Sequence, residues 1–161
     1  MNGAVLTVSD GVSAGIREDT SGDVLEGLLR DEGFEVDRSV VTDDAEVISE
    51  AIRRLADEGA AVVLTTGGTG FAPRDVTPEA TRAVVQREAP GIAEAIRADA
   101  LARTPHALLS RGVAGLLGAT LVVNLPGSPG GCRDGFEVLR PALRHGLELA
   151  AGDTATPHRQ T

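Results

Sequence analysis

Residues 60–70 read AAVVLTTGGTG, and this stretch decides the class of fold. The uncharged run 60–66 is typical of a parallel strand that is covered on both faces. A glycine-rich loop, 67–70, follows it, and Thr77 and Pro78 then mark a helix start because proline is favoured at the first helical position. A strand, a glycine loop and a helix in this order predict an α/β domain with a parallel sheet.

Strand and helix patterns alternate along the rest of the chain. Further strands are predicted at 4–8, 34–41 and 120–125, and residues 105–116 are less regular. Helices are predicted from Thr20 or Ser21 to Gly33, from Asp43 or Asp44 to Gly59, near Thr77, over 92–103 and over 132–151. The first, second and last of these helices each have an apolar stripe along one face. We therefore predict one domain over residues 1–152 and a short, flexible, polar tail over 153–161.

The composition excludes several classes of function. A net charge of −9 and an aromatic fraction of 2% oppose a nucleic-acid partner, which needs a clustered basic face and aromatic stacking platforms. The chain has no lysine, so it contains neither a Schiff-base lysine nor a phosphate-loop lysine. Its one cysteine, Cys132, excludes an intramolecular disulfide and a cysteine-cluster zinc site, and we expect an inert thiol.

The location of the protein also follows from the sequence as an expectation. The chain opens without the pattern of a signal peptide. It contains no apolar run of the roughly 20 residues that cross a bilayer. We expect a cytoplasmic protein with no membrane partner. His106, His145 and His158 are scattered, without metal-ligand spacing, and are expected to be surface or packing residues.

Three loops follow predicted strands, at residues 9–19, 65–77 and 124–131. Ligands of open α/β sheets bind outside the carboxyl ends of the strands, so these loops are expected to converge on one site. In the central loop, glycines permit backbone amides to point inward and hold phosphate oxygens. The alternative is a tight strand-to-helix turn without a ligand.

Carboxylates and a proline-glycine segment flank this loop. Asp43, Asp44 and Asp75 precede helix starts, so each is either a helix cap or a ligand-facing group. Two carboxylates beside a phosphate cradle are consistent with Mg²⁺, which binds carboxylates together with substrate phosphate oxygens. Residues 126–131 read PGSPGG and precede a helix N-terminus, a natural anion site; the alternative is a plain connection.

The motifs in combination resemble the molybdopterin-binding domain family. The resemblance rests on TVSD at residues 7–10, TTGGTGFAPRDVTPEAT at 65–81 and NLPGSP at 124–129, and it covers residues 4–152. The greatest similarity is to molybdopterin adenylyltransferases, including the G domains of gephyrin-type proteins. It implies a three-layer α/β/α sandwich with a mostly parallel sheet, usually as a homotrimer, with hexamers also occurring.

The resemblance also implies a reaction and its residues. Mg-ATP and molybdopterin would give adenylyl-molybdopterin and pyrophosphate, with possible hand-over to a molybdate-inserting enzyme. The family's essential aspartates fall on Asp43 and Asp75, which we expect to be catalytic and to hold Mg²⁺. The substrate-binding positions fall on Ser9, Asp10, Thr66, Gly67, Gly68, Thr69, Gly70, Thr77, Glu79, Ser110, Pro126, Gly127 and Ser128. Where many relatives carry a polar or basic residue after Pro129, this chain has Gly130 and Gly131, so a phosphate contact there would come from backbone amides or Arg133.

Other functions on the same fold stay open at this point, because fold alone does not determine function. A family member can bind molybdopterin without catalysing adenylylation, hydrolyse a nucleotide, or act as a scaffold. Both Asp43 and Asp75 are present, which favours the enzyme.

Overall fold

The computed structural model describes residues 1–152 and contains one six-stranded sheet. Its strands are β1 (Asn2–Val8), β2 (Glu35–Val41), β3 (Val62–Thr66), β4 (Arg87–Glu88), β5 (Ala114–Leu117) and β6 (Thr120–Leu125). The helices are α1 (Asp10–Ser13), α2 (Thr20–Asp31), α3 (Ala45–Asp57), α4 (Thr77–Arg82), α5 (Pro90–Leu101) and α6 (Pro129–Ala150), with a 3-10 helix at Pro105–Leu109. The predicted tail 153–161, with His158, lies outside the described residues.

The sheet is mostly parallel, as predicted. Its strand order is β2-β1-β3-β6-β5-β4. The first four strands in this order run parallel to one another, and β5 is antiparallel to both β6 and β4. Among the described residues, no helix is both long enough and apolar enough to cross a membrane.

The sheet separates two hydrophobic cores, because successive side chains of a strand point to opposite faces. In β3, Val62 and Leu64 pack with α2, α5 and α6, whereas Val63 packs with α3 and α4. All three side chains are fully buried, which explains the uninterrupted apolar run at this position. Helices therefore cover both faces, and the predicted three-layer α/β/α architecture is confirmed.

Strand register places the three predicted loops side by side. Thr66 at the end of β3 pairs with Thr7 of β1 on one side and with Leu125 at the end of β6 on the other. Because β1, β3 and β6 are parallel, the chain leaves all three strands at the same edge of the sheet. The convergence expected from the sequence therefore follows from the register.

Three helix starts differ from the sequence prediction. Helix α5 begins at Pro90, two residues before the predicted start at residue 92. Helix α2 is capped by Asp19, whose carboxylate accepts from the N–H of Gly22 at 3.0 Å, rather than by Thr20 or Ser21. Helix α6 begins at Pro129 rather than Cys132, because Ser128 caps it by accepting from the N–H of Gly131 at 3.1 Å. A serine cap followed by proline at the first helical position outweighs the low helix propensity of the glycines.

Several short elements lie where the sequence showed no periodicity. Strand β5 and the two-residue β4 form an antiparallel extension of the sheet beyond β6. The four-residue α1 lies in the predicted 9–19 loop, where Ser9 caps it. Elements this short contain too few residues for an alternating or helical pattern to be recognisable.

Candidate functional site

Two cavities open at the carboxyl edge of the sheet, on either side of the glycine loop. We call the first, of about 270 Å³, the aspartate cavity because Asp43 and Asp75 line it. We call the second, of about 480 Å³, the serine cavity because Ser110 and Ser128 line it. Gly67 and Gly68 face the first cavity, and Thr69 and Gly70 face the second. The loop is therefore a shared wall.

The structure divides the predicted site residues into three groups. Those that line the aspartate cavity are Ser9, Asp43, Thr66, Gly67, Gly68, Asp75 and Gly127. Those that line the serine cavity are Thr69, Gly70, Ser110, Pro126 and Ser128. Asp10, Thr77 and Glu79 line neither cavity and instead support the loops around them.

The glycine loop needs glycine for conformation and for space. Gly67 and Gly68 have φ angles of 97° and 68°, a region that side chains disfavour. A Cβ on Gly67 would lie 2.3 Å from the carbonyl oxygen of Val8, and one on Gly68 would lie 2.3 Å from Oγ1 of Thr77. That same Thr77 hydroxyl donates to the carbonyl of Gly67 at 2.9 Å. Tight packing therefore explains these glycines, and lining the cavity is an additional property.

A reciprocal pair of hydrogen bonds fixes Asp43. Its Oδ2 accepts from the N–H of Asp10 at 2.9 Å, and its own N–H donates to Oδ1 of Asp10 at 3.0 Å. Arg74 Nε completes the arrangement by donating to Oδ2 of Asp10 at 2.6 Å. The hydrogen bond from Arg74, followed by that from the Asp43 amide, lowers the pKa of Asp10. Asp10 is therefore an ionised support for Asp43.

The capping ambiguity at residues 43 and 44 is settled by the backbone. Asp44 caps α3, because its carboxylate accepts from the N–H groups of Glu46 and Val47 at 3.0 and 3.1 Å. Asp43 is left to face the aspartate cavity. Of the two adjacent carboxylates, one is structural and one faces the cavity.

Asp75 is oriented within its own turn. Its Oδ2 accepts from the N–H of Ala72 at 2.9 Å, and its N–H donates to the carbonyl of Ala72 at 2.9 Å. A Cβ on Gly70 would lie 2.9 Å from the same carboxylate oxygen. The carboxylate thus lies against the glycine loop at the margin of the aspartate cavity.

Arg111 is a supporting residue that the sequence interpretation missed. Its Nε donates to the carbonyl of Gly70 at 2.8 Å, and its Nη2 donates to the carbonyl of Asp75 at 2.6 Å. Its Nη1 forms an ion pair with Glu79, and this contact lowers the pKa of the Glu79 carboxyl. These partners lie 32–41 residues away along the chain, so no local motif indicated them.

The loop after β6 joins the two cavities. Thr66 Oγ1 donates to the carbonyl of Pro126 at 2.7 Å, and Ser21 Oγ donates to the carbonyl of Gly127 at 2.6 Å. A Cβ on Gly131 would lie 2.8 Å from Ser128 Oγ, so the helix cap leaves no room for a side chain there. Gly130, in contrast, faces open space, and its backbone lines the serine cavity.

The two cavity-lining carboxylates are groups of the kind that bind a divalent cation together with phosphate oxygens. Asp43 and Asp75 each use Oδ2 for a backbone N–H, and within residues 1–152 the other oxygen makes no hydrogen bond. In the same residues, no group of three or more His, Cys, Asp or Glu side chains is placed to hold a metal. Mg²⁺ requires no such cage, since it is commonly bound by one or two carboxylates plus phosphate oxygens and water.

Comparison with known proteins identifies relatives over nearly the whole chain. The family model described as a probable molybdopterin binding domain matches residues 4–145. A molybdopterin adenylyltransferase of Helicobacter pylori is 38% identical over 153 residues, which are 92% of this chain and 87% of that protein. The molybdenum cofactor synthesis protein cinnamon of Drosophila melanogaster is 40% identical over 154 residues. The matched residues make up 94% of this chain but only 26% of the fly protein, so this chain spans about a quarter of that protein's length.

A solved structure extends the similarity to three dimensions. The molybdopterin biosynthesis enzyme MoaB from Thermus thermophilus superimposes with a TM-score of 0.88 and is 48% identical. The match covers 94% of this chain and 96% of that one. The fold and the three sequence motifs therefore point to the same set of relatives.

Proposed function

Since the chain belongs to the family of molybdopterin-binding domains, we propose that it transfers the adenylyl group of Mg-ATP to molybdopterin and releases pyrophosphate. One observation carries this proposal: two cavities share the glycine loop as a wall, and the two aspartates line only one of them. A reaction between two separate anionic substrates requires adjacent binding sites of this kind. The relatives named as adenylyltransferases support the same reaction.

The aspartate cavity suits the polyphosphate of the nucleotide. Asp43 and Asp75 would hold Mg²⁺ through their free carboxylate oxygens, and the cation would neutralise phosphate charge. Gly67 and Gly68 line the same space. Since the Gly67 N–H donates to the carbonyl of Leu125 at 3.4 Å, the Gly68 amide would be the one to hold the α-phosphate beside the shared wall. The Asp10 support keeps Asp43 in position before the substrate arrives.

The serine cavity suits molybdopterin. Its volume of about 480 Å³ lies within the usual range of small-molecule pockets, about 300–1,000 Å³. Ser110 and Ser128 supply hydroxyl groups, and Gly130 contributes backbone to its lining. The terminal phosphate of bound molybdopterin would then lie against Thr69 and Gly70, next to the nucleotide on the other side of the loop.

The chemistry needs positioning more than proton transfer. The second pKa of a phosphate monoester is about 6, so the attacking phosphate is already largely ionised at neutral pH. One of its oxygens forms a bond to the α-phosphorus of ATP while the bond to the bridging oxygen breaks, and pyrophosphate leaves with that electron pair. No general base is required, and the residues contribute alignment and charge neutralisation.

Release of pyrophosphate by the purified protein tests this function. We expect release from Mg-ATP only when molybdopterin is also present. Release without molybdopterin would instead indicate nucleotide hydrolysis. Tight molybdopterin binding with no release would indicate a non-catalytic binding protein of the same family.

The protein's assembly and its place in the cell belong to the same proposal. We expect a homotrimer in the cytoplasm, with a hexamer as the alternative, and the mass measured by light scattering of the purified protein distinguishes the two. Adenylyl-molybdopterin is an activated phosphoanhydride, and we further propose that it is handed over to an enzyme that inserts molybdate.

A further inference from the structure

Arg111 contacts the walls of both cavities without lining either of them. It follows Ser110 in the segment between the 3-10 helix and β5, and its side chain is 31% exposed. Its backbone N–H donates to the carbonyl of Thr69 at 2.9 Å, so the residue is attached to the glycine loop through its main chain as well.

The guanidinium group of Arg111 holds both ends of the short segment 70–75 by donating to two backbone carbonyls. Nε holds the carbonyl of Gly70 and Nη2 holds the carbonyl of Asp75, at 2.8 and 2.6 Å. Nη1 pairs with Glu79 of α4. A planar fork with several fixed donors can make these contacts simultaneously, whereas a lysine ammonium is a point charge on a flexible stem.

The segment 70–75 depends on such anchors. The hydrogen bonds between Asp75 and Ala72 lie within the turn, so they shape it without attaching it to the domain. Arg74 attaches its outer side to Asp10, and Arg111 attaches its two ends. The direction of the free Asp75 oxygen therefore depends on contacts made outside the aspartate cavity.

We propose that Arg111 is a positioning residue that fixes the 70–75 segment and so holds the Asp75 carboxylate at the aspartate cavity. This inference rests on the proposed adenylyl transfer. The ion pair with Glu79 offsets the charge of Arg111 behind the loop, so Arg111 acts through geometry rather than by binding phosphate.

Substitution by lysine separates geometry from charge. Arg111→Lys keeps a cation beside Glu79 but loses the fork, and Arg111→Gln loses both. The control, Arg54→Gln, removes another ion-paired arginine, which contacts Glu58 and Ser39 and lines neither cavity. Melting temperatures confirm that each variant is folded before its activity is compared.

Two readouts are measured on all three variants. We expect kcat for pyrophosphate release to fall by about 10²-fold in both Arg111 variants, since a misplacement of about 1 Å can cost this much. Amides of residues 67–76 should exchange with deuterium faster than in the wild-type protein, and Arg54→Gln should alter neither readout.

The outcomes separate this inference from the proposed function. Unchanged exchange in Arg111→Lys overturns the inference, and so does faster exchange with an unchanged kcat. Faster exchange together with a lowered kcat supports it. If the wild-type protein itself releases no pyrophosphate, the proposed function fails, and exchange alone then decides whether Arg111 fixes the segment.

Discussion

The buried thiol of Cys132 gives the protein an unusually simple alkaline titration. Cys132 is fully buried in α6, with Sγ 3.1 Å from the carbonyl oxygen of Pro126. Burial raises the pKa of this thiol from its ordinary value of 9.0 to about 11. The chain contains no lysine and no tyrosine, and arginine ionises only above about pH 12. Cys132 is therefore the one side chain that titrates between pH 9 and 11.

The size and sign of the effect follow from proton linkage. The folded protein holds the thiol proton more tightly than the unfolded chain, so this contribution to stability is complete below pH 9 and lost as the pH rises to 11. A difference of two pKa units corresponds to about 2.7 kcal/mol, at about 1.36 kcal/mol per unit. We expect the free energy of unfolding to fall by about 2–3 kcal/mol across this window.

Urea unfolding followed by far-UV circular dichroism measures this fall at steps from pH 8 to 11.5. Cys132→Ser is the matched control, because a serine hydroxyl does not ionise in this range and the α-amino group is common to both proteins. The control should show a nearly flat profile, whatever its stability at pH 8. If it loses as much stability as the wild-type protein, burial of Cys132 is not the cause and the reasoning is wrong.

Five further substitutions, two of them controls, test the site and the fold. Gly67→Ala should lower the free energy of unfolding by more than about 1–3 kcal/mol, which is the typical cost of strained backbone alone. The added Cβ would also lie 2.3 Å from the carbonyl oxygen at the end of β1. Its control, Gly146→Ala in α6, meets no atom within 4 Å and should raise stability by about 0.5–1 kcal/mol; thermal melts compare the two. Asp43→Asn and Asp75→Asn should each lower adenylylation at least about tenfold by weakening the Mg²⁺ site. Asp44→Asn should leave it unchanged because asparagine caps helices equally well; equal losses at residues 43 and 44 would refute the assignment.

The convergence of the three loops was predictable from the sequence, and the reason is geometric. Uninterrupted apolar runs identify parallel strands, and parallel strands deliver their carboxyl ends to one edge. The glycine loop, Asp75 and Ser128 could be placed at that edge on this basis alone, whereas Asp43 and Asp44 stayed alternatives until the family resemblance selected Asp43. The family resemblance then added the reaction, which no residue pattern contains by itself.

Residues that act across the fold were harder to predict. The sequence did not indicate that Asp10 also supports Asp43, a partner 33 residues away. Arg111 went unnoticed because its partners lie 32–41 residues away. Capping propensity does not decide which of two adjacent aspartates caps a helix. The structure was needed to distinguish Asp43 from Asp44, and it shows that Asp44 has the extended backbone of the N-cap residue.

The most direct test of the central claim follows the α-phosphate of ATP. The purified protein is incubated with molybdopterin and Mg-ATP that is radiolabelled at the α-phosphate, and label on molybdopterin is measured together with released pyrophosphate. Adenylyl transfer predicts that label appears on molybdopterin in an amount equal to the pyrophosphate. Molybdopterin that binds but stays unlabelled, or label that appears only in free AMP, would contradict the proposed function.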